Sequence, residues 1–533
     1  MGAGLYTLAS PPYEWSLAAW VALTPLFLAL RERTLPTAFA TGLLYGVLFC
    51  GGIAPWVYFA IVAYFPLSAP VALLFTLLSY SVYVGLYTGL AAMCSCALMR
   101  SEHRWRKWFG VPAFWVCGEF ARSTLFSGFS WELLGYTQYR NLALIQIADI
   151  TGVYGVSFLL AFSGYATAEL WSHVFSQHRR QARRGAEGWK LSTTSSPWPA
   201  FASLLVLVTL TLMYGRTRLN ESWEAPALPP LQVALVHQNP PGITRWQRVH
   251  YASTLMKYIH ATRLSVKEAR ADLVIWPEFA VGFYPERELA LRRQLNLFMR
   301  ELNAPLLLGA PRVERDETGE RYYNSAYLFA PDGKLVEVYD KIRLVPFAEY
   351  RPLALPAFMP HSPESPSNFT AGAHPTIFTL PQSVFGVTIC YEATYPSLSR
   401  RLTQAGAQFL VNVSNDTWLA GAAASAQHFS MAVFRAVENK RPLVRVATAG
   451  VSGFIDPLGR VSHLFHAREH GGVERIFPQH HVTFYTQYGD WFICCCAGFA
   501  LLAVLTARFR IPTKQSFRFA SSLVTNGLRW NER

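Results

Sequence analysis

Three short segments place a carboxylate, an ammonium and a thiol at the ends of apolar runs. Leu273-Val274-Ile275-Trp276-Pro277-Glu278 closes on a carboxylate, Tyr339-Asp340-Lys341 on an ammonium, and Val387-Thr388-Ile389-Cys390-Tyr391-Glu392 carries a thiol. The ends of buried strands are where α/β proteins build their sites. A free thiol, with a pKa of about 8.5, is only a few per cent thiolate at neutral pH, so a nucleophilic cysteine needs a nearby base or positive charge. A glutamate can take the thiol proton and return it to a leaving group, and a lysine can stabilise the oxyanion of a tetrahedral intermediate. Each residue alone also fits a duller place: a core cysteine, a solvated lysine, a Pro-Glu helix start.

The cysteines divide unevenly. Cys50, Cys94, Cys96, Cys117, Cys494, Cys495 and Cys496 lie in or beside apolar segments, and Cys390 is left as the one cysteine of the polar middle of the chain. Without a disulfide partner there, it is either buried and inert or kept for reactivity.

The elements that must position these groups form two regions. Of the 533 residues 52% are hydrophobic and 15% charged, which does not suit a wholly soluble protein. The excess lies before about residue 215 and near 491–507. Spans of about 20 apolar residues are expected at Trp15–Leu30, Pro36–Ile61, Pro70–Met99, Trp108–Phe120, Ile150–Leu170, Ala200–Tyr214 and Trp491–Ala507. The fourth is short and runs into Glu119 and Arg122, so a polar-ended or partly re-entrant helix is expected there. Asp149, Glu119, Arg122, Glu132 and Arg140 fall at or near span ends, as interfacial hydrogen-bonders or headgroup contacts.

The net charge of +14 gathers in short Lys/Arg runs after the first, third, fifth and seventh spans, the last in a tail with Arg508, Arg510, Lys514 and Arg518. That is membrane topology rather than a phosphate-tracking surface, and it argues against nucleic acid as a partner. With these runs cytoplasmic, the amino terminus and the insertion between the sixth and seventh spans lie outside. The expected organisation is a helical bundle at 1–215, an extracytoplasmic domain at 229–486, a final span at 491–507 and a basic cytoplasmic tail at 508–533. No charged n-region of a signal peptide precedes the first apolar run.

Within the insertion, apolar runs at Leu231–Val236, Leu273–Trp276, Pro305–Leu308, Tyr323–Phe329, Leu335–Tyr339, Val384–Ile389 and Phe409–Val413 read as strands. Helices are expected around Trp246–Ala269 and Ala426–Asn439. Pro331-Asp332-Gly333-Lys334 and Asp456-Pro457-Leu458-Gly459 mark turns, the second at the bend of a hairpin through Val444–Val461. Near-continuous apolar strands between helices imply an α/β domain.

The three segments resemble, in order, the catalytic boxes of the nitrilase superfamily, helped by Leu344-Val345-Pro346-Phe347 after the lysine. That resemblance implies an αββα sandwich, with Glu278 as general base, Lys341 as electrostatic stabiliser and Cys390 as nucleophile. Within the superfamily the chain is similar, over nearly its whole length, to the apolipoprotein N-acyltransferase family. The similarity is carried by Leu344–Leu353, where Ala348 stands in place of a more usual Gly, by Val411–Trp418, Gln427-His428, Arg435–Glu438 and Arg441-Pro442, and by Trp56-Val57-Tyr58 and Leu86–Leu90 in the membrane part.

This narrower resemblance implies supporting carboxylates at Glu349 and Glu392, further pocket residues at Tyr391, Asn324 and Trp246, and a hydrogen-bonding rather than basic role for His428. It also implies a phospholipid acyl donor, an S-diacylglyceryl apolipoprotein acceptor, the bacterial inner membrane with the catalytic domain periplasmic, and no metal or cofactor. No P-loop or zinc-type Cys/His spacing is present. The family begins with a full membrane helix, of which Gly4–Tyr13 resembles only the end. Phe279–Pro285 and the Pro-rich Pro352–Pro375, with Phe358 and Met359, are candidate lipid-facing loops, ordinary surface loops being the competing reading. A membrane-anchored amidase using water as second nucleophile, and a non-enzymatic lipoprotein-binding scaffold, are the alternatives.

Overall fold

A computed structural model of the chain describes residues 1–64, 67–183, 196–221, 229–238, 247–267, 269–317, 319–346, 348–350, 368–419, 421–465 and 471–506. Among these, four helices are long and apolar enough to cross a membrane: Leu35–Ile53, Ala69–Met99, Val153–Phe175 and Trp198–Leu219. Arg104–Thr124 and Trp491–Leu505 pack with them. Large apolar side chains stay exposed along the outer faces, among them Leu74 and Leu205 at 67%. Such bands suit lipid rather than water.

Small residues set the tightest helix contact. Gly42 and Gly46 of Leu35–Ile53 face Gly85 and Gly89 of Ala69–Met99, and a methyl group at Gly42 would meet Gly89 Cα at 2.9 Å. Small residues four apart let helix backbones approach closely where water supplies no driving force. A π-helical turn at Ser81–Gly85 interrupts the second of these helices.

Two expected spans are corrected. The run Pro36–Ile61 is not one helix: it stops at Ile53 and restarts as Trp56–Tyr64. Pro55 has no N–H to donate and disfavours helical backbone at Ala54, whose φ is −125°. Trp15–Leu30 is broken into Ser16–Ala18, Ala19–Ala22 and Thr24–Ala29. The polar-ended helix expected around Trp108–Phe120 is present as Arg104–Thr124, with charged residues near both ends. The five polar residues near span ends pair within the protein. Asp149 accepts from Tyr214 and Arg218, Glu119 from Trp115 and Leu134 N, and Glu132 from Ser430. Arg122 donates to Trp131 O, and Arg140 to Glu14.

Twelve strands follow among the described residues: β1 Leu231–Val236, β2 Leu273–Ile275, β3 Leu306–Asp316, β4 Gly319–Phe329, β5 Leu335–Asp340, β6 Ile377–Thr379, β7 Val384–Ile389, β8 Phe409–Asn415, β9 Leu443–Thr448, β10 Ser452–Ile455, β11 Val461–Phe465 and β12 Gly471–Ile476. They form two six-stranded mixed sheets, ordered β12-β1-β2-β3-β4-β5 and β11-β10-β9-β8-β7-β6. In each, three neighbours run parallel: β1, β2 and β3, and β7, β8 and β9.

Alternation along β1 shows the layering. Leu231, Val233 and Leu235 pack into the core shared with Val387, Ile389, Val411 and Val413 of the second sheet. Ala234 and Val236 face the opposite way, into a core built with helices Tyr251–Ser265 and Leu289–Leu302. Helices Pro396–Gln404 and Ala422–Asn439 contact the second sheet. Strands buried on both faces read as continuous apolar runs because no position faces water. The result is the αββα sandwich of a nitrilase fold. Leu289–Leu302, Pro396–Gln404, β6 and β12 were not among the expected elements, and β3 runs eight residues beyond Leu308.

Candidate active site

Glu278, Lys341 and Cys390 come together from the ends of β2, β5 and β7, and all three are at least 97% buried. Glu278 follows β2 by three residues, where β3 passes close enough that a β-carbon at Gly309 would meet Glu278 Cα at 2.6 Å. A side chain there would push the carboxylate away, so glycine is required. Glu278 Oε1 accepts from Asn324 Nδ2 at 2.7 Å and Lys341 Nζ at 3.3 Å, and Oε2 from the Asn415 backbone N–H at 2.7 Å. Asn415 ends β8, so this carboxylate ties one sheet to the other.

Lys341 is held through its backbone as well. Its N–H donates to Asn324 O and its carbonyl accepts from Gly372 N. The preceding Asp340 takes a two-pronged contact from Arg312, at 2.9 and 2.6 Å. The ammonium lies 2.8 Å from Glu349 Oε1, and Asn324 Nδ2 reaches that same oxygen at 2.8 Å. Asn324 therefore bridges two carboxylates with one amide group, and Lys341 shares its single positive charge between them.

Cys390 sits where β7 turns into the short helix Cys390–Thr394, with φ at +51°. A residue with a β-carbon holds that left-handed conformation only when its surroundings fix it. The Cys390 carbonyl accepts from His428 Nε2 at 2.9 Å and Asn412 Nδ2 at 3.3 Å. Glu392 completes the turn: Oε1 accepts from Ile342 N and Arg343 N, Oε2 from Ile389 N, and both oxygens are within 2.9 Å of Tyr339 Oη. It is a clamp between the loop after Lys341 and the strand before Cys390.

Charge and burial set the protonation states. Burial, aided by the Glu278 carboxylate and opposed by Lys341, pushes the Cys390 thiol well up, so the resting group is a neutral thiol. Burial also raises Glu278, with Glu349 adding to the rise and Lys341 opposing it. Burial alone would lower Lys341, but the carboxylates of Glu278 and Glu349 outweigh it and keep it an ammonium.

His428 is spoken for on both sides. Nε2 faces a carbonyl, which only accepts, so Nε2 carries the proton. Nδ1 faces Arg445 Nη2 at 3.1 Å, which only donates. Burial and Arg445 hold its pKa below the usual range, so the ring is neutral and Nε2 is committed to a backbone carbonyl rather than to the thiol. Donor atoms of Cys390, Asp416 and His428 lie within 4.8 Å of one another, the geometry of a possible cation site. Arg445 already bonds Asp416 at 2.9 Å as well as His428, so a fixed positive charge stands among these donors and the set does not suit a metal ion.

The other expected residues are placed as follows. Tyr391 Oη donates to Gly128 O of the membrane part at 3.4 Å, beside Tyr395, which reaches Ser127 O and Gly128 O at 3.1 Å. Trp246, Phe358 and Met359 lie outside the described residues. The expected lipid-facing loop Phe279–Pro285 is corrected: Ala280, Val281 and Phe283 are core residues, and Phe279 stacks on Phe369 at 5.9 Å. Sequence reasoning gave no role to Asn415, Asp416 or Arg445. Only the likeness of Val411–Trp418 to the family drew attention to the first two.

Two protein families match separate parts of the chain. The family described as Apolipoprotein N-acyltransferase N-terminal domain matches residues 2–166, and the Carbon-nitrogen hydrolase family matches residues 232–471. The Apolipoprotein N-acyltransferase of Geobacter metallireducens is 35% identical over 95% of this chain and 94% of its own length. That of Pseudomonas syringae pv. tomato is 29% identical over 94% and 95%. A crystal structure of an amidase from Nesterenkonia sp. aligns with 47% of this chain and 91% of its own, at 18% identity and TM-score 0.33, a distance at which the likeness carries no argument.

Proposed function

The chain belongs to the apolipoprotein N-acyltransferase family, and from that premise we propose that it moves an acyl chain from a membrane phospholipid, through a thioester on Cys390, to the α-amine of an S-diacylglyceryl-cysteine at a lipoprotein's amino terminus. The observation that carries the residue assignment is the convergence of a neutral thiol, a carboxylate held by three donors, and an ammonium in one water-excluded site.

Glu278 takes the Cys390 proton as Sγ attacks the ester carbonyl. Lys341 stabilises the negative oxygen of the tetrahedral intermediate. The intermediate collapses as the ester C–O bond breaks, and Glu278 returns the proton to the departing lysophospholipid alcohol. In the second half the acceptor amine attacks the thioester, Glu278 receives a proton from the amine, and Cys390 leaves and is reprotonated. The step from thioester to amide is downhill and draws the whole exchange from ester to amide forward, so no nucleotide is needed. Glu349 shares the ammonium and keeps Lys341 charged, while Asn324 orients both carboxylates.

The membrane bundle has a chemical reason in this reading. A soluble enzyme would extract its lipid substrates at about 0.8 kcal/mol per methylene, a cost largely removed by holding the thiol at the bilayer surface. The Lys/Arg runs after alternate spans support a cytoplasmic-membrane protein with residues 229–486 on the periplasmic side. The test is turnover in detergent with labelled phospholipid and a diacylglyceryl-cysteine peptide. N-acyl peptide and lysophospholipid in equal amounts are expected. Free fatty acid as the sole acyl product, with the peptide unchanged, would replace this reading with a hydrolase.

A further inference from the structure

Helix Ala422–Asn439 meets the membrane bundle through Ser430 on Glu132, Arg435 on Tyr136 and Glu438 on the Val153 N–H, and also through Gln427, the residue directly before the one that touches the nucleophile. His428 donates to the Cys390 carbonyl. Gln427 has its amide inside the bundle: Nε2 donates to Ile53 O at 2.8 Å and Pro11 O at 3.0 Å, and Oε1 accepts from Trp131 Nε1 at 2.8 Å. The Trp131 ring closes the triangle, with its centroid 5.5 Å from that of His428.

The Ile53 carbonyl needs such a partner. Leu35–Ile53 ends there because Pro55 prevents continuation, and the last carbonyls of a helix have no acceptor role left within it. A buried carbonyl without a donor is costly. Gln427 supplies that donor from the other half of the protein and uses both amide hydrogens and its oxygen in doing so. At the opposite end of the linkage, the left-handed backbone of Cys390 depends on His428 and Asn412 for its carbonyl.

We propose that Gln427 is a positioning residue. It docks helix Ala422–Asn439 on the break at Ile53–Pro55, so that His428 holds the Cys390 carbonyl and the thiol stands in line with its substrate. The membrane bundle thereby sets the geometry of the nucleophile as well as anchoring the domain. The inference rests on Cys390 being the residue that receives the acyl chain.

The experiment uses the full-length protein in detergent and follows single-turnover acylation from labelled phospholipid by intact mass. It compares wild type, Gln427→Met, which keeps the length but removes all three hydrogen bonds, His428→Asn, and the double variant. Misplacing a reacting group by a fraction of an ångström costs rate rather than ground-state binding. Gln427→Met is therefore expected to slow acylation about tenfold at saturating donor, the size of the one hydrogen bond from His428 to the Cys390 carbonyl that it misplaces, with the half-saturating donor concentration unchanged. The double variant is expected to be no slower than the slower single one, since both act through one linkage.

A wild-type rate in Gln427→Met, an effect confined to donor half-saturation, or rate losses that multiply in the double variant would overturn the proposal. Should Gln427→Met not fold, Gln427→Glu reads the same point. It keeps the acceptor for Trp131 but loses the donors to Pro11 and Ile53, and is expected to slow acylation likewise; a wild-type rate overturns. A wild-type protein that takes up no acyl chain overturns the thioester reading itself, whereas acylated wild type with unaffected variants overturns the positioning role alone.

Discussion

Replacing Lys341 with methionine removes the charge between two buried carboxylates and leaves the side-chain volume nearly unchanged. In the native site the ammonium lies 3.3 Å from Glu278 Oε1 and 2.8 Å from Glu349 Oε1. At an effective dielectric of about 20 these contacts correspond to roughly 5 and roughly 6 kcal/mol of attraction. The net loss is smaller, because methionine carries no desolvation penalty and one carboxylate can take up a proton. Breaking a buried pair typically costs about 3–5 kcal/mol. Two consequences follow. Acylation of Cys390 falls by roughly 10²–10³-fold, the effect of losing one oxyanion stabiliser. The stability deficit also acquires a pH dependence. A carboxyl whose folded pKa is raised contributes stability that is present below its unfolded value of about 4.3 and lost as pH rises through the raised one. Burial and Glu349 already raise Glu278 with the ammonium in place, and removing the ammonium raises it further. Thermal unfolding in detergent should show the gap between Lys341→Met and wild type widening as pH rises above the ordinary carboxylate range. Acylation at the native rate, or a gap that narrows as pH rises, would refute the reasoning.

Other perturbations read other parts of the site. Glu392→Gln sets an amide against the inward-facing N–H groups of Ile342, Arg343 and Ile389, leaving at least one donor unpaired. A loss of about 2–4 kcal/mol is expected in denaturant or thermal unfolding. His428→Asn, whose wild-type ring serves a carbonyl, should slow acylation about tenfold rather than the roughly 10²–10⁴-fold expected when a general base is lost; stopped-flow with labelled donor separates the two. The acylation rate of the wild type should fall with decreasing pH at a value above the ordinary carboxylate range, because the raised Glu278 pKa governs the base. A pH-rate profile of the first half-reaction measures it. A chelator should leave acylation unchanged, since Arg445 stands among the Cys390, Asp416 and His428 donors.

What could be read from the chain was what is local. A strand that ends in a chemically able residue is visible in six letters, so Glu278, Lys341 and Cys390 were legible, as were β1, β7 and the turn at Pro331–Lys334. Boundaries went astray where tertiary pairing overrides composition: β3 runs on through Arg312, Glu314 and Arg315 because β4 pairs with it residue for residue. The break at Pro55 is hidden by the long apolar run on either side of it, in which one proline changes the hydropathy little. Helix Leu289–Leu302 also carries a readable apolar face in Leu291, Leu295, Phe298 and Leu302. By contrast, no local pattern joins Gln427 to Ile53, 374 residues away, or Arg445 to His428. Nor does the sequence say that Asn324 bridges two carboxylates, because that depends on the middle of β4 meeting the end of β2 and the loop after β5.

The central claim is that Cys390 carries the acyl chain between two lipid substrates. Intact mass of purified wild type and Cys390→Ala, incubated with labelled phospholipid before any acceptor is added, tests it most directly. The account predicts a mass gain of one acyl chain in wild type alone, labile to hydroxylamine and discharged by a diacylglyceryl-cysteine peptide. A gain that persists in Cys390→Ala, or peptide acylation by that variant, would contradict it.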